Sequence, residues 1–150
     1  MGDLTEHFDL ADTWRTDHDD LRPANRAEAR KWGANIATMA ALAEEAHAIL
    51  DEPMIVNSWG RGVALNRRVK GQPTSQHCQW LAIDFRVKDI EAAYQKLLAA
   101  GRAGEIRWGQ LLQEGTWLHI SSPKGRDPAR CMEYGRKDAG GKVHIEGRIA

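Results

Sequence analysis

Two side chains in the middle of the chain have the chemistry of metal ligands. The segment SQHCQWLAIDF, residues 75–85, carries His77 and Asp84 seven positions apart. A turn-forming GQPTS stretch precedes the histidine, and a β-type run carries the aspartate. An imidazole and a carboxylate together suit zinc, which binds His nitrogen and Asp oxygen at roughly 2.0–2.2 Å. A metal site of this kind needs a third protein ligand.

We expect the third ligand to come from a later strand. The run TWLHISS places His119 on the same face as Trp117 and Ser121, because side chains alternate along a strand. Leu118 and Ile120 take the opposite face, so the histidine is available to a cleft. Three protein ligands and one open position form the catalytic zinc pattern, in which bound water becomes acidic enough to supply hydroxide near neutral pH.

Two further charged residues complete a hydrolytic constellation. Glu114 lies five positions before His119, across the Gly115–Thr116 turn, so its carboxylate can face the open metal position. There it would act as a general base and pass the proton to a leaving amine. Arg61, in the segment NSWGRGVALN, offers a fixed cation that can polarise a scissile carbonyl or hold a substrate carboxylate.

Taken singly, each of these residues has an ordinary structural interpretation as a hydrogen-bonded histidine, a turn carboxylate or a surface charge. Only the joint pattern favours a metal site. The other histidines before residue 50, His7, His18 and His47, have no partner at ligand spacing and are interpreted as surface or helix-face residues. Cys78 follows His77 directly and is interpreted as a small buried thiol, because neighbours on an extended chain point opposite ways.

The composition bounds the fold and the partners. The chain has 150 residues, the usual size of one domain, and we expect a single domain over residues 1–150 and a monomer. Lys plus Arg and Asp plus Glu number 21 each, which argues against a nucleic-acid partner because no broad positive field remains. Cys78 and Cys131 have no CxxC or CxxH partner, which predicts reduced thiols.

The N-terminal sequence bears on localisation. MGDLTEHFDLADTW is acidic, with no basic n-region and no continuous apolar run, which argues against a secretory signal. No stretch of the sequence reaches the roughly 20 apolar residues that a membrane-spanning helix needs. We therefore expect synthesis in the cytoplasm, no membrane partner, and action elsewhere only after release.

Hydrophobic periodicity predicts two helices that act as scaffold. The first spans about residues 26–50, where apolar residues recur in alternating steps of four and three. Asn25, with Glu28 three residues later, predicts a capping-box-like start for this helix. The second spans about residues 89–100, with Gly101 in the C-terminal cap position.

Short β-type runs lie between and after these helices. They are separated by Gly, Pro and Asn residues and span residues 54–58, 81–87, 116–121 and 131–134. The order α, β, β, α, β, β predicts an α+β domain, in which helices pack on a small, largely antiparallel sheet. The residues after Gly140 are predicted to form a short tail or a terminal strand.

The ligand motif resembles that of a known family. Ser75-x-His77-x-x-x-x-Ala82-x-Asp84, followed by a Trp-x-His that ends at His119, resembles the signature of the zinc D-alanyl-D-alanine carboxypeptidase family. That family includes the vancomycin-resistance dipeptidases and the phage L-alanyl-D-glutamate endopeptidases. It shares its metal site with lysostaphin-type peptidases and the hedgehog signalling domain.

The resemblance extends to earlier parts of the chain. NSWGRGVALN is similar to the family's Ser-Gly-Tyr-Arg-x-x-x-x-Asn segment and matches it at Ser58, Arg61 and Asn66. Gly71 stands where a glycine precedes the Ser-x-His motif. EHFDLADTW and the helix that follows are similar to the lead-in of the phage-type members. The resemblance thus covers about residues 5–135 and favours an endolysin-like endopeptidase over a secreted carboxypeptidase.

The resemblance implies a hedgehog/DD-peptidase-like fold and a role for each matching residue. His77, Asp84 and His119 would bind zinc, and Glu114 would be the catalytic base. Arg61 would stabilise the oxyanion or bind the substrate carboxylate, and Ser75 would contact the substrate nearby. The implied reaction is hydrolysis of a peptide bond in the stem peptides of bacterial peptidoglycan.

The chain departs from the family pattern at two places. Trp80 stands where the family has glycine in Ser-x-His-x-x-Gly-x-Ala-x-Asp, and Ser-Trp-Gly-Arg at residues 58–61 replaces Ser-Gly-Tyr-Arg. Glycine commonly permits unusual dihedrals or a close backbone approach, so an indole implies a shifted loop or a changed cleft wall. Trp80 either fills a substrate subsite or blocks one. Trp80 and Trp117 lie next to the motifs and are both candidates for substrate contacts.

Three functions remain in competition from the sequence. The preferred one is a zinc peptidase that acts on peptidoglycan. The second is a catalytically inactive, metal-containing binding module on the same fold, and the third is a phage structural protein without metal. The placement of Trp80 discriminates between the first two. An open pocket beside the metal predicts the enzyme, whereas an indole over the fourth metal position predicts the binding module.

Overall fold

The computed structural model describes residues 2–150 and shows in them four α-helices and six β-strands. The helices are α1 (Arg22–Ala29), α2 (Gly33–Leu50), α3 (Val63–Arg68) and α4 (Ile90–Arg102). The strands are β1 (Ile55–Ser58), β2 (Ala82–Arg86), β3 (Gln110–Gln113), β4 (Leu118–Ser121), β5 (Glu133–Lys137) and β6 (Val143–Arg148). The predicted α+β class is confirmed.

The six strands form one sheet in the order β1-β2-β4-β3-β5-β6. The β3–β5 pair is parallel and the other four pairs are antiparallel. The prediction of a largely antiparallel sheet is therefore confirmed. Asp84 of β2 lies directly opposite His119 of β4. Because directly opposite residues share a face of the sheet, this register places the two side chains next to each other.

The neighbouring strands β2 and β4 alternate between a core face and the face that carries the polar pair. Ile83 and Phe85 of β2 and Leu118 and Ile120 of β4 are all fully buried. These four residues belong to one hydrophobic cluster that also contains the buried residues of α2 and α4. The helices therefore cover the apolar face, and burial of that face fixes the register that aligns the polar pair.

The first predicted helix is wrong in its bounds and its continuity. A 3-10 turn at Arg30–Trp32 separates α1 from α2, and α1 begins at Arg22 with a proline in its first turn. The position after an N-cap favours proline, since its missing N–H would be unpaired there in any case. Asn25 therefore lies inside α1 and is not its cap. Its buried side chain bonds instead to the backbone of Gly60 and Gly62.

The second predicted helix is close to the observed one but ends later. Asp89 caps the start of α4 by accepting a hydrogen bond from the N–H of Ala92 at 2.9 Å. Gly101 lies within the helix and does not cap it. A Cβ at this position would lie 2.4 Å from Cη2 of Trp108, so the glycine lets the indole approach the helix backbone.

Several elements escaped prediction or are shifted along the chain. Neither α3 nor β3 is predicted from the sequence, and β5 begins two residues after the start of the predicted run at 131–134. Of the two alternatives for the segment after Gly140, the terminal strand is correct and is β6. Within residues 2–150, no helix is both long and apolar enough to cross a membrane.

Candidate metal centre

Three predicted ligands from separate elements converge on one point. His77 lies in a 3-10 turn (Gln76–Gln79), Asp84 in β2 and His119 in β4. Each residue offers one ligand atom, and these atoms all lie within 4.8 Å of one another. Oδ1 of Asp84 is 3.3 Å from Nε2 of His77 and 2.9 Å from Nδ1 of His119. The structure thus brings together the residues that the motif predicts as a ligand set.

Backbone contacts fix the orientation of the His77 ring. Nδ1 of His77 lies 2.6 Å from the carbonyl oxygen of Trp59, and the imidazole is 3 % exposed. Because a carbonyl only accepts, Nδ1 carries the proton and Nε2 turns its lone pair toward Asp84. In return, the N–H of Arg61 donates to the carbonyl of His77 at 2.9 Å. A hydrogen bond from a ring nitrogen to a carbonyl, such as the one from Nδ1 of His77 to Trp59, typically fixes the tautomer of a metal-binding histidine.

The charge distribution at the cluster fits a bound cation. Burial alone would raise the pKa of the Asp84 carboxyl, but the charges and hydrogen bonds of His77 and His119 outweigh it and hold that pKa well below its usual range. An ionised carboxylate therefore faces an imidazole lone pair inside the fold. Two histidines and one aspartate are a donor set that suits zinc and similar divalent transition metals.

Arg61 and Ser75 lie on one side of the cluster. Nη2 of Arg61 donates to Oγ of Ser75 at 3.1 Å, and the same Oγ accepts from the N–H of His77 at 3.2 Å. The Nε atom of Arg61 is buried and has no hydrogen-bond partner among residues 2–150. Arg61 also lines a cavity of about 340 Å³ together with Cys78. Cys78 is half-buried there, so its prediction as a buried thiol is wrong.

A larger cleft of about 780 Å³ opens on the other side of the cluster. Asp84 lines this cleft, and so do Trp117, Trp14 and Arg86. Nε1 of Trp117 is buried without a hydrogen-bond partner in the described part of the chain. Buried polar groups are almost always paired, so this indole N–H is an unsatisfied donor in a residue of the cleft wall.

Glu114 lies beside the cluster but outside it. Leu112 pairs with His119, and the N–H of Glu114 continues the hairpin by donating to the carbonyl of Trp117 at 2.9 Å. The alternation of side chains therefore places Glu114 on the same face as His119. Its side chain is 8 % exposed and accepts a bond from Nζ of Lys137 at 3.0 Å. The predicted base is thus ion-paired with Lys137, a residue of β5, the strand that runs parallel to β3.

Trp80 lies in the hydrophobic core and not in the cleft. Its side chain is 0 % exposed, stacks on Trp32 at a centroid distance of 6.0 Å, and donates from Nε1 to the carbonyl of Thr13 at 2.8 Å. A fully buried indole with a satisfied N–H has no surface to offer a ligand. The prediction that Trp80 fills a substrate subsite is therefore wrong, and so is the alternative that it blocks one.

The two departures from the family pattern are complementary in space. A Cβ built on Gly60 would lie 1.7 Å from Cε2 of the Trp80 indole. Trp80 itself has φ +58°, the left-handed conformation that glycine adopts most readily. The family motif has a large residue at position 60 and glycine at position 80, whereas this chain has the reverse. The indole thus fills from one side the space that a side chain at position 60 would fill from the other.

Two supporting residues have no signature in the sequence. Asn25, 2 % exposed, donates to the carbonyl of Gly60 at 2.9 Å and accepts from the N–H of Gly62 at 2.7 Å, so it holds the loop that carries Arg61. Trp59 orients His77 through its backbone carbonyl. Contacts to main-chain atoms follow no side-chain pattern. The capping-box pattern drew attention to Asn25 but gave no indication of its contacts to this loop.

The comparison with known families agrees with the geometry of the site. A half-buried carboxylate and two imidazoles lie together beside an open cleft, and such a donor set can hold a divalent metal ion. Residues 9–121 match the family described as Peptidase M15, and the chain belongs to that family. The matched segment contains the three candidate ligands, Arg61 and Glu114. No individual curated protein matches the chain by sequence.

Proposed function

We propose that this chain is a zinc peptidase that hydrolyses a peptide bond in the stem peptides of bacterial peptidoglycan. Zinc would be held by His77, Asp84 and His119. The observation that carries the proposal is the open cleft beside Asp84, from which Trp80 is withdrawn into the core. When bound, zinc supplies a Lewis acid that polarises a carbonyl and acidifies water. The remaining chemistry belongs to side chains of the protein.

Two unpaired donors suit the binding of a peptide. Nε of Arg61 and Nε1 of Trp117 are buried and have no partner among residues 2–150. An unpaired buried donor costs about 1–3 kcal/mol, which a carbonyl or carboxylate of the substrate would offset. Arg61 would stabilise the charge that develops on the scissile carbonyl, with Ser75 positioning its guanidinium. Trp117 would bind an acceptor of the substrate in the cleft.

Glu114 is proposed as the general base. Its low exposure and its place on the same face as His119 support this role. There it would accept a proton from water and then donate it to the leaving amine. In the free protein, Nζ of Lys137 donates to this carboxylate at 3.0 Å and orients it. We propose that the substrate loosens this ion pair, because a base tied to an ammonium group is a weak proton acceptor.

Within the family we propose an endolysin-like endopeptidase of the phage type. The lead-in EHFDLADTW supports this proposal, since it is similar to that of the phage-type members. The protein would be a single-domain monomer that is made in the cytoplasm and acts on the cell wall after release. A secreted D-alanyl-D-alanine carboxypeptidase is the alternative within the same chemistry.

A second candidate is a metal-containing binding module without activity. The observation that favours it is the ion pair between Glu114 and Lys137, which occupies the proposed base. In that case the cleft would bind the stem peptide and leave it intact. Both candidates predict one zinc at the ligand set, so metal content alone cannot separate them.

The deciding experiment combines zinc content with the release of new amino termini from purified peptidoglycan. We expect chelator-sensitive release by the wild type and a fall of about 10²–10⁴-fold in Glu114→Gln with zinc retained. Glu105→Gln, which removes an exposed carboxylate away from the cluster, is the matched control. Full activity in Glu114→Gln would exclude this residue as the base. Zinc without release in the wild type would establish the binding module.

A further inference from the structure

A second cluster of potential ligands lies on helix α2. His7, Glu44 and His47 each offer one ligand atom, and these atoms all lie within 4.8 Å of one another. Glu44 and His47 are three positions apart and share a face of α2, while His7 comes from the N-terminal segment. The sequence interpretation of His7 and His47 as residues without ligand partners is therefore wrong. Their separation of 40 positions hid the contact.

Direct contacts hold the three side chains of this cluster together. Nδ1 of His7 lies 2.6 Å from Oε1 of Glu44, and the N–H of His7 donates to Oε2 at 2.8 Å. The imidazoles of His7 and His47 stack with centroids 3.7 Å apart and planes 16° apart. The corresponding distances at the first cluster are 2.9 and 3.3 Å. In both clusters the ligand atoms thus lie within the same 4.8 Å of one another.

Charge and access also suit a cation. The Glu44 side chain is 25 % exposed, so its carboxylate lies at the surface of α2. The His7 side chain is 38 % exposed, so an ion can reach the cluster from solvent. Oε1 of Glu6 lies 3.9 Å from Nε2 of His7 and is a further carboxylate beside the site.

We propose that His7, Glu44 and His47 form a second metal site, selective for zinc and similar divalent transition metals. Two imidazoles and one carboxylate are borderline ligands that favour such ions over magnesium or calcium. The fourth position would be taken by water or by Glu6. The site is separate from the candidate catalytic centre, and it has a structural role.

The structural role follows from what the N-terminal segment holds in place. A metal at this site ties His7 to α2. Six residues later, the carbonyl of Thr13 accepts from Nε1 of Trp80 at 2.8 Å and from the N–H of Gly60 at 3.1 Å. The next residue, Trp14, lines the large cleft. The metal would therefore brace the segment that supports the Arg61 loop and one wall of the cleft.

The test is zinc titration of the full chain in a His119→Ala background, which weakens the first site. Calorimetry is expected to show one remaining zinc per chain, and zinc at 100 times its Kd is expected to raise Tm by about 5–10 °C. His7→Gln or His47→Gln in this background is expected to weaken binding by about 10-fold or more, because each removes a direct ligand. His7 is exposed and His47 is half-buried, and neither side chain belongs to the hydrophobic core cluster.

His144→Gln is the matched control. His144 also pairs with a carboxylate, Nε2 to Oδ2 of Asp138 at 2.7 Å, but that pair has no third ligand among residues 2–150. The His144→Gln variant, made in the His119→Ala background, should bind zinc as that background protein does. Retention of the second zinc in both His7→Gln and His47→Gln would overturn the proposal. So would the absence of a second zinc in the background protein, or its loss in His144→Gln.

Discussion

A single methyl group added at Gly60 is expected to destabilise the fold through its contact with Trp80. The Cβ of Gly60→Ala would lie 1.7 Å from the indole, about half of an ordinary carbon–carbon contact distance of roughly 3.5–4.0 Å. Trp80 cannot move away freely, because it stacks on Trp32 and donates to the carbonyl of Thr13. The backbone near Gly60 is also held, since Asn25 binds its carbonyl.

The magnitude follows from the cost of overpacking. One extra methyl group in a close-packed core typically costs about 1–3 kcal/mol, and the contact at Gly60 favours the upper end of that range. Trp80→Ala is expected to cost about 3–5 kcal/mol through the loss of the buried indole. Alanine and tryptophan bear the same strain at φ +58°, so this substitution removes the indole alone. In a Trp80→Ala background, Gly60→Ala should then leave the free energy of unfolding nearly unchanged.

The assay is a double-mutant cycle by urea denaturation with zinc held constant. The coupling free energy between Gly60→Ala and Trp80→Ala is expected to be about 1–3 kcal/mol, with the double variant more stable than the sum of the single changes predicts. Additivity within about 0.5 kcal/mol would refute the reasoning, because it would mean that the two residues do not compete for space. Gly104→Ala is unsuitable as a control because its φ is +75°, whereas Gly33→Ala meets no neighbour and is suitable.

Three further predictions follow from single contacts. Asn25→Ala is expected to lower the free energy of unfolding by about 1–3 kcal/mol and to raise KM, because it leaves two backbone groups beside Arg61 unpaired; urea denaturation and kinetics measure both. Trp117→Phe removes an unpaired donor from the cleft and should lower kcat/KM about 10-fold without loss of zinc. Hydrogen bonds from Arg136 lower the pKa of Glu91 to about 2, so this pair stabilises the fold above about pH 4.3 and its contribution is lost as the pH falls toward 2. Carboxyl NMR should show that the pKa of Glu91 rises toward its ordinary value in Arg136→Met, because the largest cause of its lowering is removed.

The fold class and the ligand set were predictable because both leave periodic or motif signals in the chain. Alternation along β4 placed His119 opposite the aliphatic residues, and the strand has this arrangement in the structure. The bounds of the first helix were not predictable, because apolar periodicity continues through a 3-10 turn that has nearly the same residue spacing. β3 is only four residues long and escaped for lack of an alternating pattern.

The surroundings of the candidate site could not be predicted because they depend on tertiary contacts. Trp80 was assigned to the cleft since it lies between two ligands in sequence, yet its indole turns into the core. His7 and His47 meet only when the N-terminal segment folds back on α2. Lys137 reaches Glu114 because β5 runs parallel to β3, a pairing that no local pattern reveals.

The reciprocal bonds that join residues 59–61 to His77 use mainly backbone atoms. The carbonyl of Trp59 orients the imidazole, and the N–H of Arg61 binds the carbonyl of His77. Evolution can therefore exchange the side chains at positions 59 and 60 freely as long as the core accommodates them, and the Ser-Trp-Gly-Arg segment is one such exchange. A change in the length of this loop is a different matter, because one inserted or deleted residue would break both bonds at once. Loop length here should vary less among relatives than side-chain identity does.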